Sequence, residues 1–207
     1  MIKQKTLILL CVITLLVMNT LPVTAMTCDL NNEKTATVKI TITDPETGRV
    51  WEPELSTDDI KIQRTPRSYS SNGLSEETVI VSVDIGDYIR DTLPNTRADI
   101  EQSMTDGMTI KTGMTYTVSG QNVRITAVSG ATIPTGIYYA TNRTQYYRHP
   151  GTGAGGKWTP TNNSWKYSVD SGYGLYMLAA PPLAILDCTI RIIDMSAYRN
   201  VSVTCSL

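Results

Sequence analysis

The chain of 207 residues is long enough for one domain of ordinary size that buries a hydrophobic core without help from metals or disulfides. Its 18 basic and 19 acidic side chains nearly balance, which gives a net charge of −1 at pH 7. This balance excludes a broad basic surface of the kind that binds nucleic acid, so we expect no nucleic-acid partner.

The first 25 residues have the pattern of a cleavable secretory signal peptide. Lys3 and Lys5 form a short basic start, residues 7–18 are an apolar run interrupted only by Thr14, and small residues end at Ala25. The run is shorter than the roughly 20 residues that a bilayer core requires, which disfavours a transmembrane anchor. We expect cleavage after Ala25, export, and a mature chain of residues 26–207 that forms a single domain without a transmembrane segment.

Alternating apolar and polar residues predict that most of the mature chain forms β-strands. The period is that of a strand with one face on a core and the other in water. Turn sequences separate the runs, as at residues 44–48 and 119–122. The expected strands lie at residues 38–42, 49–51, 60–62, 79–85, 108–112, 116–118, 123–127, 137–140, 166–169 and 175–178, and in a closing pair near 188–192 and 201–205.

One short helix is expected among these strands, at Thr96–Met104, where the Thr96 hydroxyl is suited to cap the amino end. About ten short strands rich in Thr and Ser, with turns between most of them, are typical of a sandwich. The sequence therefore predicts an all-β fold, an antiparallel β-sandwich with one short helix.

Three cysteines remain after cleavage of the signal peptide: Cys28, Cys188 and Cys205. An exported chain meets an oxidising compartment, so at least one pair is expected to close. A closing hairpin that aligns the apolar residues of its two strands sets Cys188 directly opposite Cys205. We predict this disulfide. The alternative joins Cys28 to either of the other two and ties the amino-terminal strand to the end of the chain.

The residues that most enzymes require are scarce. His149 is the only histidine, which excludes a multi-histidine metal site, and the Pro and Gly residues after it predict an exposed loop. Residues 151–157 depart from the glycine spacing of a phosphate-binding loop and precede no long helix, so they are interpreted as a surface loop. We expect no catalytic residue, no metal site and no cofactor.

The aromatic residues are concentrated between positions 138 and 176, and the chain has no phenylalanine. Several stand among Asn, Asp and Gly residues, where flat rings can stack on a sugar while amides and carboxylates form hydrogen bonds to it. The same rings could instead be inward strand residues and covers for loop backbone, and both interpretations stay open. The predicted ligand-binding residues are Tyr146, Tyr147, Arg148, Trp158, Asn162, Asn163 and Trp165.

Positive charge lies close to these aromatic residues, at Arg143, Arg148 and Lys157. Such cations would favour an acidic glycan, although scattered surface cations often serve only solubility.

Residues 133–140 (Ile-Pro-Thr-Gly-Ile-Tyr-Tyr-Ala) are similar to the Pro-x-Gly-x-Tyr segment of chaperone-usher fimbrial subunits. The signal peptide and the Thr/Ser-rich strands also resemble that family. The resemblance implies an immunoglobulin-like sandwich and secretion through the periplasm to a fimbrium or the cell surface. It implies a periplasmic chaperone, an usher and neighbouring fimbrial subunits as partners, with a host glycan as ligand.

Two departures from that family's pattern indicate a tip or accessory subunit rather than a shaft subunit. The early disulfide is missing, because the second mature cysteine is Cys188, and the chain ends Val-Thr-Cys-Ser-Leu. Two functions of a non-enzyme remain open. One is a surface subunit that binds glycan through residues 138–176, and the other is a structural or assembly module that pairs by strand addition with a neighbour.

Overall fold

The structure, a computed structural model, describes residues 36–69, 75–93 and 107–207. Within these residues, antiparallel strands form two sheets and there is one short helix, so the predicted all-β sandwich is confirmed. The elements are β1 (Thr37–Thr43), β2 (Val50–Trp51), β3 (Ile60–Tyr69), β4 (Ser75–Asp84), α1 (Gly86–Thr92), β5 (Met108–Ser119), β6 (Asn122–Pro134), β7 (Tyr138–His149), β8 (Ala154–Trp158), β9 (Ser164–Ser168), β10 (Gly174–Leu175), β11 (Leu183–Ile192) and β12 (Tyr198–Ser206).

The strand order brings together parts of the chain that are far apart in sequence. Sheet I has the order β2-β1-β12-β11-β7-β8. Sheet II has the order β10-β6-β5-β4-β3, and β9 also pairs with β6. The first described strand thus pairs with the last one, with Val38 opposite Cys205.

The core lies between the two inner faces, and the period-2 pattern decides which residues enter it. Along β1, Ile40 and Ile42 are buried while Thr37 and Lys39 are exposed on the outer side. Both sheets contribute fully buried side chains. Examples are Ile40, Ile42, Leu186 and Val203 from sheet I, and Val79, Val81, Val83, Ile110, Met114 and Ile125 from sheet II.

Both predicted turns are present. The Asp44 carboxylate accepts the Glu46 backbone N–H at 2.9 Å, and Gly48 closes the turn with a φ of 70°. The hairpin between β5 and β6 turns at Gly120, whose φ is 59°. At both glycines a side chain would strain the left-handed backbone, which explains why these positions are glycine.

The predicted helix at Thr96–Met104 lies outside the described residues, as do the signal peptide and Cys28. The described helix, α1, begins directly after β4 instead. Ile85, Ile89 and Leu93 follow one another at intervals of four and are buried, so α1 rests on the core. The sequence pattern assigned Ile85 to the preceding strand because it continues the alternation of β4.

Several predicted strands change length. The runs at 108–112 and 116–118 form one strand, β5, and the run at 175–178 contracts to β10. The interpretation of residues 151–157 as a surface loop is wrong for most of this segment. Only its tip forms a turn, and Ala154–Trp158 forms strand β8, which pairs with β7. No helix of the described residues is long and apolar enough to cross a membrane.

The predicted disulfide between Cys188 and Cys205 is wrong, because β11 and β12 pair in another register. Cys188 lies opposite Val201 and Cys205 lies opposite Ala184. The two cysteines are therefore offset by four positions, about 13 Å along the strands, whereas a disulfide requires Cα atoms within about 7 Å. Because the offset is even, both side chains still point inward and are buried, and neither forms a disulfide within the described residues. The alternative bridge to Cys28 falls outside the described residues.

Candidate functional site

The structure divides the predicted ligand-binding residues among three places. Trp158 and Trp165 point between the sheets, and so does Tyr147, which is buried. The two neighbours of Tyr147 in β7, Tyr146 and Arg148, point to the outer face of sheet I because side chains alternate along a strand. The third place is the exposed turn between β8 and β9, which holds Asn162 and Asn163.

The inward rings form a stack that joins the two sheets at one open side of the sandwich. Trp158 lies 5.9 Å from Tyr147 in sheet I and 5.1 Å from Tyr167 in sheet II, measured between ring centroids. Gly156 leaves room for this stack, since a Cβ atom there would lie 2.7 Å from the Trp158 ring. We call Tyr147, Trp158, Trp165 and Tyr167 the aromatic seam. Its rings pack on the core and on one another.

Buried polar groups continue the aromatic seam. The Trp165 indole N–H donates to the Gln145 Oε1 at 3.2 Å, and the Gln145 Nε2 donates to the Thr112 hydroxyl at 3.2 Å. Gln145 is fully buried. The Arg143 Nη2 donates to the Asn163 Oδ1 at 2.5 Å, so Asn163 is held to the framework of the sandwich.

His149 is buried at the end of β7, and the expectation of an exposed loop is wrong. Its Nε2 lies 2.8 Å from the Val123 carbonyl oxygen. A carbonyl can only accept, so Nε2 is the donor of this hydrogen bond. The Nδ1 atom has no hydrogen-bond partner among the described residues. This imidazole connects sheet I to sheet II and does not face the outer surface.

The outer face of sheet I carries a trough built from strands that are distant in sequence. Its first part is a cavity of about 450 Å³ whose lining includes hydroxyl, amide and carboxylate groups. The Asn142 amide donates to the Thr189 hydroxyl at 3.4 Å, and this hydroxyl donates to the Asn200 Oδ1 at 2.9 Å. Asn142 has a φ of 49° in a bulge of β7, which turns its side chain over β11. Thr41, Thr43, Asp187 and Ser202 also line this part.

The second part of the trough is a cavity of about 640 Å³ that shares Asp187 and Ser202 with the first part. The Lys157 ammonium lies 5.4 Å from the centroid of the Tyr146 ring, a cation–π contact that positions both groups. Arg148, Leu183 and Ile185 complete this end. We call the two parts together the outer trough. It combines one aromatic ring, two aliphatic side chains, one carboxylate, two amides, several hydroxyls and two cations.

The rows of the sheet set the order of these groups. Asp187 lies opposite Thr144, Ile185 lies opposite Tyr146, and Leu183 lies opposite Arg148. The carboxylate and the guanidinium therefore stand at positions four residues apart, about 13 Å along the strand. A ligand that fills the outer trough meets hydroxyls and amides at one end, an aromatic ring in the middle and cations at the other end.

Sequence reasoning found Tyr146 and Arg148 in the outer trough and missed Asp187, Asn200 and Ser202. These three occupy outward positions of β11 and β12, where the alternating pattern marks them only as solvent-facing. Nothing local in the sequence distinguishes them from other outward polar residues of the strands. Only the pairing of β11 with β7 places them beside the predicted aromatic and basic residues.

The described residues contain no group of three or more His, Cys, Asp or Glu side chains that could hold a metal ion. Comparison of the chain with family models, curated proteins and solved structures finds no match.

Proposed function

We propose that this chain is an exported surface protein that binds a glycan in the outer trough. The observation that carries the proposal is that the Tyr146 ring lines the same trough as two aliphatic side chains, a set of amides and hydroxyls, and the Asp187 carboxylate. A sugar presents an apolar ring face and a belt of hydroxyls, and this arrangement offers a partner to each. The fimbrial family that the sequence resembles supplies the setting, a subunit at the cell surface.

The inward position of the aromatic seam also favours the outer trough as the binding site. Its rings face the interior, so substitution of Trp158 or Trp165 would disturb packing as well as any ligand. The polar end of the trough is accessible. Among the hydrogen bonds of the described residues, neither the Asn142 Oδ1 nor the Asn200 Nδ2 takes part, and both side chains are exposed. An acceptor and a donor therefore remain for sugar hydroxyls.

The test is a glycan array probed with the chain lacking residues 1–25, followed by affinity measurements on Tyr146→Ala. We expect this variant to lose about tenfold in affinity for the best glycan, equivalent to about 1.4 kcal/mol. Tyr139→Ala is the matched control, because Tyr139 is an outward, exposed tyrosine of the same strand outside the trough. The proposal fails if no glycan on the array binds, or if both variants lose equally.

A second candidate function is an assembly module that adds a neighbour's strand to β3. This strand forms one edge of sheet II. Ile62 lies opposite Val81, which is fully buried, yet Ile62 remains 42% exposed, so the inner face of β3 is incompletely covered. The register shift between Thr65 and Ser68 protects only the second half of the edge.

Self-association distinguishes this second candidate. If β3 pairs with a neighbour, Ile62→Lys should abolish complexes seen by light scattering, because a charge at that position prevents burial of the edge. Ile133→Lys, which changes a similarly exposed isoleucine of β6, should leave the complexes intact. This function is excluded if the chain stays monomeric at high concentration and binds no candidate subunit.

A further inference from the structure

The cationic end of the outer trough has an open space beside its guanidinium. Arg148 of β7 is exposed and lies opposite Gly155 of β8, which has no side chain. The neighbouring outward residue of β8 is Lys157, which lies opposite Tyr146. The two cations thus flank a gap that the missing side chain of Gly155 leaves at the edge of the sheet.

Neither cation is neutralised by a carboxylate of the described residues. Among residues 36–69, 75–93 and 107–207, no carboxylate lies within 4.0 Å of the Arg148 or Lys157 side-chain nitrogens. Some other cations of the described residues do have a carboxylate partner: Lys39 lies 2.7 Å from Glu52, and Arg124 lies 2.7 Å from Asp170. The two charges in the trough are therefore available to an anion.

The carboxylate of the trough, Asp187, is distant from the Arg148 guanidinium, although its row is two positions from the row of Lys157. It stands four positions from the row of Arg148, about 13 Å along the strand, which exceeds the Debye length of about 8 Å at physiological ionic strength. Because the whole chain has a net charge of −1, general attraction cannot account for binding of an anion.

We propose that Arg148 and Lys157 form a subsite for the anionic group of an acidic sugar, a carboxylate or a sulfate, whose ring stacks on Tyr146. The guanidinium fork matches two oxygens of such a group, and the ammonium adds a point charge. The inference rests on the proposed glycan-binding function and specifies the class of sugar at one end of the trough.

The test compares three oligosaccharides of equal length by titration calorimetry: one built from hexuronic acid, its carboxyl-reduced neutral counterpart, and a sulfated form of the neutral one. We expect at least one acidic form to bind about tenfold more tightly than the neutral form, the gain typical of a charge-assisted contact. That preference should weaken as salt is raised. Whichever acidic form binds better identifies the anion.

Arg148→Ala should remove the preference for acidic forms while neutral binding persists, and Tyr146→Ala should weaken all forms. Lys166→Ala, which removes an exposed lysine on the outer face of sheet II, is the control and should change nothing. Equal affinity of the intact protein for acidic and neutral forms overturns the acidic subsite and leaves glycan binding in place. If none of these sugars and no glycan on the array binds, both proposals are overturned.

Discussion

Gln145 shows how a single buried amide can specify the packing of two sheets. Its Oε1 accepts from the Trp165 indole, and its Nε2 lies 3.2 Å from the Thr112 hydroxyl and 3.1 Å from the Ile185 carbonyl oxygen. These partners belong to both sheets. Gly130 provides the space, since a Cβ atom there would lie 2.6 Å from both Gln145 and Trp165. A fully satisfied polar group of this kind fixes the relative position of the elements around it.

Gln145→Leu should lower the free energy of unfolding by about 1–3 kcal/mol, because it leaves the buried Trp165 N–H and Thr112 hydroxyl without their partner. Urea denaturation followed by tryptophan fluorescence measures the change. Gln63→Leu is the control: Gln63 is exposed on β3, and its replacement should alter stability by less than about 0.5 kcal/mol. Equal losses for the two variants would show that the buried amide contributes nothing specific.

At the scale of elements, the hairpin of β11 and β12 shows what decides strand register. Its turn is built on Asp194, whose φ is 64°, and the Met195 N–H donates to the Ile192 carbonyl at 3.2 Å. Directly beyond the turn, the Arg191 guanidinium lies 4.5 Å from the centroid of the Tyr198 ring opposite it. The turn and this contact set the register, and apolar residues still face inward. Hydrophobic alternation alone is satisfied by either register.

Cys188 and Cys205 should therefore resist alkylation in the folded protein. Burial raises the pKa of both thiols to about 12, so neither forms the reactive thiolate near neutral pH. Iodoacetamide labelling at pH 8 with peptide mapping should leave both unmodified in native protein and modify both in guanidinium chloride. A peptide that joins Cys188 to Cys205 under non-reducing conditions would contradict the register described here.

A second element-scale feature is the attachment of α1 to sheet I through Arg199 of β12. This side chain is buried, and its Nη2 donates to the Thr92 carbonyl at the end of α1 at 2.5 Å. The Arg199 Nε also donates to the Thr92 hydroxyl at 3.2 Å. A guanidinium at a helix carboxyl end satisfies carbonyls that lack intrahelical partners and complements the helix dipole. The contact holds a short helix that would be marginal alone.

For the whole molecule, carboxylates in two turns predict how stability responds to acid. The Glu46 backbone N–H, the Thr47 hydroxyl and the Arg199 guanidinium lower the pKa of Asp44 below its ordinary value. The Gly172 backbone N–H, and then the Arg124 guanidinium, lower the pKa of Asp170. A carboxyl whose pKa is lower in the folded than in the unfolded protein stabilises the fold at every pH above its unfolded pKa, near 3.8. This stabilisation is lost as the pH falls through the folded pKa.

Unfolding free energy should therefore stay level down to about pH 5 and decline below about pH 4 as these carboxylates bind protons. Asp170→Asn should be less stable than the unchanged protein at pH 7, and the two should converge as pH falls, because the native carboxyl is then also neutral. Denaturation with urea at pH 7, 5, 4 and 3 measures both curves. Curves that run parallel over this range would rule out the Asp170 contribution.

The aromatic seam also acts at the scale of the whole molecule. Strands β8 and β9 are neighbours in sequence but belong to different sheets, and the Trp158 and Tyr167 rings stack between them with planes 11° apart. The residues next to these two rings in the sequence are compatible with either a ligand-binding face or a hydrophobic core. The position of β9 on sheet II turns these rings inward, whereas Tyr146 and Arg148 lie on the outer face of sheet I.

The sequence by itself determined the all-β class, the predicted turns and the alternation that fills the core, because these depend on contacts within a few residues of one another. Only the tertiary structure decided the separation of Cys188 from Cys205, the burial of His149, the existence of β8 and the membership of the outer trough. Each of these depends on which strands pair and in what register. Asp187, Asn200 and Tyr146 share one surface because β11 lies between β12 and β7, and such long-range pairing leaves no local pattern in the chain.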